Sequence, residues 1–176
     1  MINPLRPLWD LDLQGNVFAA ASHIGVVDVM NGINRIRLKT EQDYYNSGVM
    51  LMDLEAARVL VQPEAIFQYV RDHENELLLP DQDVFNSLYG AQTLQIDDAL
   101  WNYDARYYSG YLLRSGGAYH MDWVMQHTAI LHFCGKRKPW KRSYATRFAP
   151  LYKHYRQLAA RSGASFVSLS APPFHG

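Results

Sequence analysis

Three short segments of the 176-residue chain combine residue types that could act together on a polar ligand. The first is Tyr44-Tyr-Asn-Ser-Gly-Val49, in which Asn46 offers both a donor and an acceptor. The pair Ser47-Gly48 lets a ligand approach the backbone closely, which suits the hydroxyl groups of a sugar. The same residues are also typical of an ordinary turn before a strand, so this segment alone leaves both interpretations open.

The second segment is Leu79-Pro-Asp-Gln-Asp-Val-Phe-Asn86, which has the composition of a helix start. Acidic residues in a first helical turn ordinarily cap the helix and complement its dipole. Asp81 and Gln82 could alternatively project from the helix start into a cleft. There they could hydrogen-bond a polyhydroxylated ligand, and the segment by itself does not decide between the two roles.

The third segment, His132-Phe-Cys-Gly-Lys-Arg-Lys-Pro-Trp140, follows a short apolar run of strand length. A histidine at the C-terminal end of a strand lies where open α/β sheets bind ligands, and its imidazole can ligate a divalent metal. Gly135 permits close approach to the backbone, and the ammonium of Lys138 can contact a diphosphate. A metal site also requires carboxylate partners, and a lone histidine beside apolar residues is often a satisfied core residue.

The elements that must position these segments alternate between short strands and helices. We expect strands at Val17–Ala21, Val49–Leu54, Leu94–Ile96 and Ala129–Phe133. The second of them is a nearly continuous apolar run, which predicts a strand buried on both faces. Proline suits the first turn of a helix, so helices are expected from Pro63 and from Pro80, with Gly90 ending the latter. Residues 22–43 are expected to form a turn-rich, partly ordered excursion. The alternation predicts an α/β layered domain.

Charge is distributed unevenly along the chain although the formal net charge is zero. Every acidic residue lies at or before Asp122, so residues 123–176 carry only basic charges. Such a part suits phosphates, anionic lipid headgroups or nucleic acid, or simply aids solubility. The single cysteine, Cys134, excludes an internal disulfide, which agrees with a reducing cytoplasm. The N-terminus does not resemble a signal peptide, and no apolar run has the length of a membrane span.

Together with Pro7-Leu-Trp-Asp-Leu-Asp-Leu-Gln-Gly-Asn16, the three segments resemble glycosyltransferase family 8. These are retaining enzymes of the GT-A fold that include bacterial lipopolysaccharide galactosyl- and glucosyltransferases. The His-x-x-Gly-x-x-Lys-Pro-Trp pattern is the most specific of the matching pieces, which extend over most of residues 4–142. The resemblance implies a mixed sheet flanked by helices. It also implies transfer of a hexose from a UDP-sugar to a glycan or lipid-linked saccharide acceptor, with retention.

The resemblance further implies a diphosphate site in the third segment. His132 corresponds to the family's histidine ligand of a Mn²⁺ (or Mg²⁺) ion held against the UDP diphosphate. Gly135 and Lys138 correspond to positions that contact that diphosphate. The expected role of the metal is to neutralise charge that develops on the departing UDP.

The first two segments correspond to the family's donor-sugar site. Asn46, Ser47 and Gly48 match the loop that contacts the donor sugar, whereas Asp81 and Gln82 match the pair that flanks its anomeric region. An amide is a poor nucleophile, so the expected role of Gln82 is electrostatic stabilisation of the oxocarbenium-like transition state.

The chain departs from the family pattern near its N-terminus. Family members carry a metal-binding Asp-x-Asp at the end of a buried strand, and Asp10 and Asp12 match the segment just after that motif. We therefore expect them to be helix or turn residues around a buried Trp9, and not metal ligands. The chain resembles the C-terminal part of such a transferase, without the half that holds the nucleotide. His23 stands where family members often carry an acid near the acceptor, which leaves the acceptor open.

Two functions follow as hypotheses. The first is a hexosyltransferase that is incomplete in this chain. Its expected partners are a UDP-hexose and a saccharide acceptor, with an anionic membrane surface as a further possible partner. Nucleic acid is not expected as a partner. The second is a non-catalytic remnant or sugar-binding module. The expected location is the cytoplasm, and a peripheral position at the inner face of the membrane is left open as an alternative. An apolar surface left by the missing half predicts oligomerisation or poor solubility.

The resemblance and the composition together predict three parts along the chain. Residues 1–146 are expected to form the C-terminal portion of a GT-A domain. Residues 147–161, with an apolar stripe flanked by basic residues, are expected to form an amphipathic helix. Residues 162–176, rich in serine, glycine and proline, are expected to be a flexible tail.

Overall fold

The structure, a computed structural model, describes residues 1–23 and 28–162. The chain divides into two compact units, Met1–His132 and a second that begins at Phe133. The helices are α1 (Arg6–Trp9), α2 (Asp28–Leu38), α3 (Leu54–Leu60), α4 (Pro63–His73), α5 (Pro80–Tyr89), α6 (Asp98–Trp101), α7 (Tyr108–Arg114), α8 (Met121–His127) and α9 (Ala149–Arg161). The strands are β1 (Phe18–Ala20), β2 (Met50–Met52), β3 (Thr93–Gln95), β4 (Tyr103–Asp104) and β5 (Leu131–His132). The expected flexible tail lies, apart from Ser162, outside the described residues.

The main sheet of the first unit is mixed, with strand order β2-β1-β3. Strand β1 pairs antiparallel with β2, where Ala19 lies opposite Leu51. On its other side it pairs parallel with β3, where Ala19 lies opposite Leu94. The expected α/β fold with a mixed sheet flanked by helices is therefore present.

The core of this unit forms on both faces of β1, because alternate residues of a strand point to opposite sides. Phe18 packs with Phe85 and Tyr89 on one face, and the Phe18 and Phe85 rings meet edge to face at 5.3 Å. On the other face Ala19 belongs to a cluster that includes Leu8. The central strand is thus the one buried on both sides.

The expectation that Val49–Leu54 is buried on both faces is wrong. Only the central leucine of β2, Leu51, packs against the core, whereas Met50 and Met52 are 37% and 38% exposed. The reason is the strand order, which places β2 at an edge of the three-stranded sheet. The apolar run alone did not distinguish an edge strand from a central one.

The two helices that begin with proline are confirmed. Helix α4 begins at Pro63, α5 begins at Pro80, and the latter ends at Gly90. The expectation of a merely partly ordered excursion at residues 22–43 is wrong where the structure describes it, because α2 occupies Asp28–Leu38. Residues 24–27 of that segment lie outside the described part.

A second sheet, of two short parallel strands, joins β4 to β5 and pairs Asp104 with His132. The backbone N–H of Tyr103 donates to the carbonyl of Ile130 at 3.0 Å, and that of Ala105 donates to the carbonyl of His132. This pairing places the end of α6 beside the start of β5. Residues that are 30 positions apart, Asn102 and His132, thereby become neighbours.

Near the N-terminus Asp10 is the turn residue that caps the end of α1, and Asp12 lies just before the turn at Gln14-Gly15. Asp10 follows α1 and pairs with Arg6, and the Asp12 carboxylate accepts the backbone N–H of Gln14 at 2.8 Å. The expected burial of Trp9 is wrong, since its side chain is 75% exposed. The one-turn helix α1 instead turns Leu8 into the core, because adjacent residues of a helix face different directions.

The second unit is organised around aromatic rings. The ring of Phe133 meets those of Tyr144 and Tyr152 edge to face, at 6.0 and 5.8 Å. Helix α9 spans Ala149–Arg161 and starts with a proline in its first turn, which agrees with the helical stripe in the sequence.

Candidate functional site

The loop before β2 and the first turn of α5 meet through side-chain hydrogen bonds. The Asn46 amide N–H donates to Oε1 of Gln82 at 3.0 Å, and the backbone N–H of Ser47 approaches the same oxygen at 3.4 Å. The Ser47 hydroxyl donates to the carboxylate of Asp81 at 3.0 Å. The two segments, which are separate in the sequence, therefore form one polar surface.

The loop is held in place by Asn86, which lies one turn beyond Gln82 on α5. The buried Asn86 amide accepts the backbone N–H of Tyr45 at 2.6 Å and donates to the carbonyl of the same residue at 2.8 Å. It also donates to the carbonyl of Gln82 at 2.8 Å. One buried amide thus joins the loop and the helix.

The amide of Asn46 also connects the loop to His132. Its Oδ1 accepts the backbone N–H of Gly48 at 3.1 Å and the side-chain N–H of Asn102 at 3.0 Å. The Oδ1 of Asn102, whose side chain is fully buried, lies 2.8 Å from Nδ1 of His132. Three amides and an imidazole thus form a continuous chain from α5 to β5.

Gly48 lies against the His132 ring so closely that a side chain could not fit between them. A Cβ at this position would lie 2.2 Å from Cε1 and 3.0 Å from Nε2 of His132. It would also lie 2.9 Å from Oδ1 of Asn46. The glycine in Asn-Ser-Gly is therefore required by the approach of this imidazole, and its role is not confined to a turn.

Beneath this surface, α5 is fixed by a buried carboxylate. The Asp83 carboxylate accepts hydrogen bonds from both terminal nitrogens of Arg37, at 2.7 and 3.0 Å, and from the hydroxyl of Tyr44 at 2.5 Å. It also accepts the backbone N–H groups of Leu78 and Leu79, at 2.7 and 3.1 Å. Burial alone would raise the pKa of Asp83, but these donors outweigh it and hold the pKa below its usual range.

A cavity of about 220 Å³ opens beside Asn46 and Gln82, and His23 and Tyr44 are among its lining residues. His23 is nine-tenths buried, and its Nδ1 lies 3.2 Å from Asp98 and 3.2 Å from the Tyr111 hydroxyl. Its Nε2 is buried and has no hydrogen-bond partner among the described residues. An imidazole held at one nitrogen can offer the other to a ligand hydroxyl.

Asp98 itself is braced by the guanidinium of Arg114, at 2.5 Å, and by the Tyr111 hydroxyl at 2.9 Å. Burial would raise the pKa of Asp98, but hydrogen bonds from His23 and Arg114 lower it. Burial and the neighbouring Asp98 charge raise the pKa of Tyr111, which therefore acts as a donor. The carboxylate remains charged and fixes the orientation of the His23 ring.

The first unit contains one predicted metal ligand, His132. An imidazole suits Mn²⁺ or Mg²⁺ only together with oxygen ligands. Within residues 1–23 and 28–162, His132 belongs to no group of three or more His, Cys, Asp or Glu side chains close enough to share an ion. Asp10 and Asp12 are engaged with Arg6 and Gln14. The described residues therefore fit one position of a metal site and do not form a complete set of protein ligands.

Gly135 and Lys138 lie in the second unit. Gly135 has a φ of 79°, a conformation that favours glycine. The Lys138 ammonium donates to the carbonyl of Phe133 at 3.1 Å and lies 5.9 Å from the centre of the Trp140 ring. Within this unit a cavity of about 370 Å³ is lined by Lys136, Arg137, Lys138, Lys141, Ser143 and Tyr144. Its cationic lining suits a phosphate group.

Sequence reasoning identified the loop, the start of α5 and His132, but it missed Asn102, Asn86 and Asp83 as part of the site. Asn102 follows α6 in the stretch Asp-Asp-Ala-Leu-Trp-Asn, and no motif or periodicity singles it out. Asp83 lay inside a quoted segment, where it could be taken for a helix cap. Its buried partners become visible only once α2 and α5 are placed side by side.

The sequence matches glycosyl transferase family 8 over residues 2–143. General stress protein A of Bacillus subtilis (strain 168) is 28% identical over 161 residues, which cover 88% of this chain and 54% of that protein. Probable galacturonosyltransferase 7 of Arabidopsis thaliana is 28% identical over 153 residues, covering 86% of this chain and 23% of that protein. The chain thus spans about half the length of the first relative and less of the second.

Solved structures of glycosyltransferases share the fold. Galactosyltransferase LgtC, in complex with donor and acceptor sugar analogues, superimposes with a TM-score of 0.68 at 22% identity. The match covers 90% of this chain and 56% of that one. The glycosyltransferase GlyE in Streptococcus pneumoniae TIGR4 has a TM-score of 0.61 at 19% identity, over 91% of this chain and 39% of that one.

Proposed function

Because the chain belongs to glycosyl transferase family 8, we propose that it carries the donor-sugar part of a hexosyltransferase that uses a UDP-hexose and retains the anomeric configuration. The single observation that supports this most strongly is the network of Asn46, Ser47, Asp81 and Gln82, which ends on His132. Short polar side chains that converge on one surface, held by a buried second layer, are what recognition of a polyhydroxylated ligand requires.

In the proposed reaction the bond between the anomeric carbon and the UDP oxygen breaks, and a bond to the acceptor hydroxyl oxygen forms on the same face of the sugar. The proton of that hydroxyl leaves with the UDP phosphate. Asn46 and Gln82 each retain an amide N–H beyond those in the network, and these can donate to sugar hydroxyls. The carboxylate of Asp81, which is exposed, can accept from them.

Gln82 is proposed to stabilise the oxocarbenium-like transition state and not to attack it. Its Oε1 already accepts N–H groups from Asn46 and Ser47, which lowers the nucleophilicity of an oxygen that is weakly nucleophilic at the outset. The same bonds fix the amide dipole before the substrate arrives. Such preorganisation is the main source of electrostatic stabilisation in enzymes.

His132, Gly135 and Lys138 are proposed to serve the diphosphate end of the donor. His132 would provide one ligand of a Mn²⁺ or Mg²⁺ ion, and Lys138 would contact the phosphates from a loop that is rich in positive charge. A bound divalent cation supplies charge neutralisation on the leaving diphosphate. We propose that the other protein ligands, the family's Asp-x-Asp, come from polypeptide outside the described residues.

The acceptor is proposed to be a glycan or a lipid-linked saccharide whose reacting hydroxyl enters the cavity beside Gln82. His23 is among the residues that line this cavity, and Asp98 and Tyr111 engage its Nδ1, so the proposal assigns the acceptor hydroxyl to its Nε2. On this proposal, His23→Ala raises the KM for the acceptor while leaving the KM for the donor within about twofold. An equal rise in both constants would contradict it.

The experiment that tests the function compares the 176-residue chain with a version extended by the polypeptide encoded directly upstream. Mn²⁺-dependent binding of UDP-glucose and UDP-galactose is measured by calorimetry, and transfer is followed as UDP release. We expect saturable micromolar binding and transfer for the extended version alone, and loss of transfer in Gln82→Ala. Gln68→Ala, on the exposed part of α4, is the control.

The outcomes separate the two candidate functions. An extended version that binds neither UDP-hexose in the presence of Mn²⁺ would contradict the transferase. Micromolar binding of UDP by the 176 residues alone would contradict the proposal that further ligands are needed. A sugar-binding module is the second candidate, favoured by the incomplete ligand set around His132. It predicts metal-independent binding of free saccharides, which the same calorimetry detects.

A further inference from the structure

We propose that Asn102 is a positioning residue that fixes which ring nitrogen of His132 carries the proton. It does so at the end of a chain of side-chain amides whose direction is set by backbone N–H groups of the loop before β2. The consequence for catalysis rests on the proposed function, whereas the tautomer itself does not. Asn102 has no part in the sequence-based description of the site.

The direction of the chain begins at Gly48 and Ser47. A backbone N–H can only donate, so the oxygen of Asn46 must face Gly48, at 3.1 Å. The Asn46 NH₂ group then faces Gln82 Oε1, at 3.0 Å, where the Ser47 N–H also requires an acceptor. The contacts at the oxygen end and at the nitrogen end of the Asn46 amide therefore require the same orientation. Without such contacts, the oxygen and nitrogen of an asparagine amide are difficult to distinguish.

The orientation of Asn102 follows from that of Asn46. Because the Asn46 oxygen faces Asn102 at 3.0 Å, the group that Asn102 presents to it must be its NH₂. The Asn102 oxygen then lies 2.8 Å from Nδ1 of His132, and an oxygen acceptor at this distance requires a proton on Nδ1. Reversing the Asn102 amide would place its oxygen against the Asn46 oxygen, where neither can donate.

Burial makes this arrangement obligatory. Asn102 is fully buried, so water cannot replace a partner that turns the wrong way. An unsatisfied buried donor or acceptor costs more than an ordinary hydrogen bond contributes. The Nδ1–H tautomer of the neutral ring is therefore the one that satisfies every member of the chain.

The tautomer decides which atom of His132 can act as a ligand. With the proton on Nδ1, the lone pair of the neutral ring is on Nε2, and metal-bound imidazoles are commonly oriented by such a bond from the other nitrogen. Nε2 is on the ring edge that faces Gly48, where a Cβ would lie 3.0 Å from it. The loop proposed to contact the sugar and the imidazole proposed to hold the cation are thus oriented by the same hydrogen bonds.

The test measures the tautomer directly, in the 176-residue chain without metal or nucleotide. Protein labelled with ¹⁵N in histidine is examined at pH 9, where imidazoles with an ordinary pKa of about 6.5 are neutral. Long-range ¹H–¹⁵N spectra distinguish the protonated from the unprotonated nitrogen. We expect His132 as Nδ1–H in at least about tenfold excess, a ratio equivalent to 1.4 kcal/mol. Predominant Nε2–H would overturn the proposal, whatever any variant does.

Two other histidines serve as controls in the same spectrum. Nδ1 of His73 lies 3.0 Å from the Tyr69 carbonyl, and Nδ1 of His127 lies 2.9 Å from the Trp123 carbonyl. Carbonyl oxygens can only accept, so both rings should be Nδ1–H in every variant.

Variants separate a positioning role from a merely structural one. Asn102→Leu removes the acceptor and should shift His132 toward Nε2–H, the form that isolated histidine favours. Asn102→Asp keeps an acceptor and should retain Nδ1–H. Asn46→Asp keeps the acceptor that orients Asn102 and should also retain it. A retained tautomer in folded Asn102→Leu, or a changed one in Asn46→Asp, would overturn the proposal.

A metal-binding measurement keeps this inference distinct from the proposed function. In the extended version with UDP, Asn102→Leu should weaken Mn²⁺ binding by about 10- to 100-fold, the usual effect of removing a residue that orients a ligand. The expected tautomer without any Mn²⁺ binding would count against the transferase and not against the role of Asn102.

Discussion

Three aspartates in the described part of this molecule are buried, and each is paired with an arginine. Asp83 pairs with Arg37 and Asp98 with Arg114, and Asp104 pairs in the same way with Arg106. The first two also accept a tyrosine hydroxyl, from Tyr44 and Tyr111 respectively. A charge without a partner would be costly at these positions. These pairs therefore make the placement of α2, α5, α6 and α7 specific.

Removing the charge of Asp83 should destabilise the fold. Asp83→Asn removes the charge that faces the Arg37 guanidinium, and its one remaining oxygen cannot accept from both Tyr44 and the two backbone N–H groups. We expect the free energy of unfolding to fall by about 3–5 kcal/mol, the usual cost of breaking a buried ion pair. Urea unfolding followed by circular dichroism measures it, with the exposed Asp81→Asn as the matched control. A loss below about 1 kcal/mol would contradict the bracing role.

The same carboxylates predict an acid-sensitive fold. Donors outweigh burial and hold the pKa values of Asp83, Asp98 and Asp104 below those of ordinary aspartates. The unfolded chain therefore binds more protons in acid, so their contribution is complete above a pH of about 4 and is lost as the pH falls through the lower folded values. Asp83→Asn should lose less stability between pH 5 and pH 3 than the wild type.

Gly48 gives a second prediction at the residue scale. Gly48→Ala places a methyl group 2.2 Å from His132 Cε1, so the ring or the loop must move. We expect Mn²⁺-dependent transfer by the extended version to fall at least about tenfold, since misplacing such groups by an ångström has large effects on rate. Gly32→Ala in α2, where nothing lies within 4 Å, is the control. Its transfer rate should be unchanged, and equal losses in both variants would contradict the prediction.

At the scale of elements, the sequence predicted what local chemistry determines. Helices α4 and α5 were found because proline at the start and apolar spacing are local signals. Helix α2 was missed because Asn31-Gly32 suggests a turn. Two side chains of α2 form hydrogen bonds outside the helix: Asn31 accepts the backbone N–H of Tyr44, and Arg37 donates to Asp83. Helices α3 and α6 have only 7 and 4 residues, and buried or capped ends stabilise them more than any periodic pattern.

The residues of the candidate site also fall into those that local sequence signals identify and those that only distant contacts identify. Asn46, Ser47, Gly48, Asp81, Gln82 and His132 could be singled out from residue types and motifs, and the structure brings these six together. Asn102 could not be found, because its partners Asn46 and His132 lie 56 and 30 positions away in the sequence, and the contact with His132 follows from the β4–β5 pairing. The orienting layer of a site is generally determined by such distant contacts.

Strand β2 leads to a prediction about association. Met50 and Met52 are on one face of an edge strand and are more than one-third exposed. Exposed apolar edges favour pairing with another chain. We expect self-association in light scattering at micromolar concentrations, reduced when both methionines are replaced by lysine. Met125→Lys, on α8 and similarly exposed, is the control. A monomeric wild type would contradict the prediction.

At the scale of the whole molecule, the uneven charge distribution favours an anionic surface as a partner. The second unit has basic residues and no acidic one, and on α9 Lys153 and Arg156 are exposed beside the half-exposed Tyr155 and Leu158. No helix among the described residues is long and apolar enough to cross a membrane. On the strength of these basic side chains alone, we propose peripheral attachment to the inner, cytoplasmic face of a membrane, where lipid-linked acceptors could be reached.

Vesicle sedimentation tests this attachment. We expect the chain to sediment with vesicles containing phosphatidylserine and not with neutral ones, and binding to weaken as salt is raised. The double change Lys153→Glu and Arg156→Glu should reduce binding at least about fivefold, since each basic residue contributes roughly 1 kcal/mol. The double change Arg58→Glu and Arg71→Glu, at exposed positions of α3 and α4, controls for net charge. Equal binding to neutral vesicles would exclude the electrostatic part of the proposal.

The contact between α2 and the loop before β2 also bears on the chemical ageing of the protein. An asparagine followed by glycine normally deamidates readily, because the next backbone nitrogen attacks the side-chain carbonyl. In this chain Asn31-Gly32 is within a helix, and Oδ1 of Asn31 accepts the N–H of Tyr44 at 2.7 Å. Both restraints hold the attacking nitrogen away from the amide. The rate of isoaspartate formation at Asn31, followed by mass spectrometry, would thus report how often α2 opens.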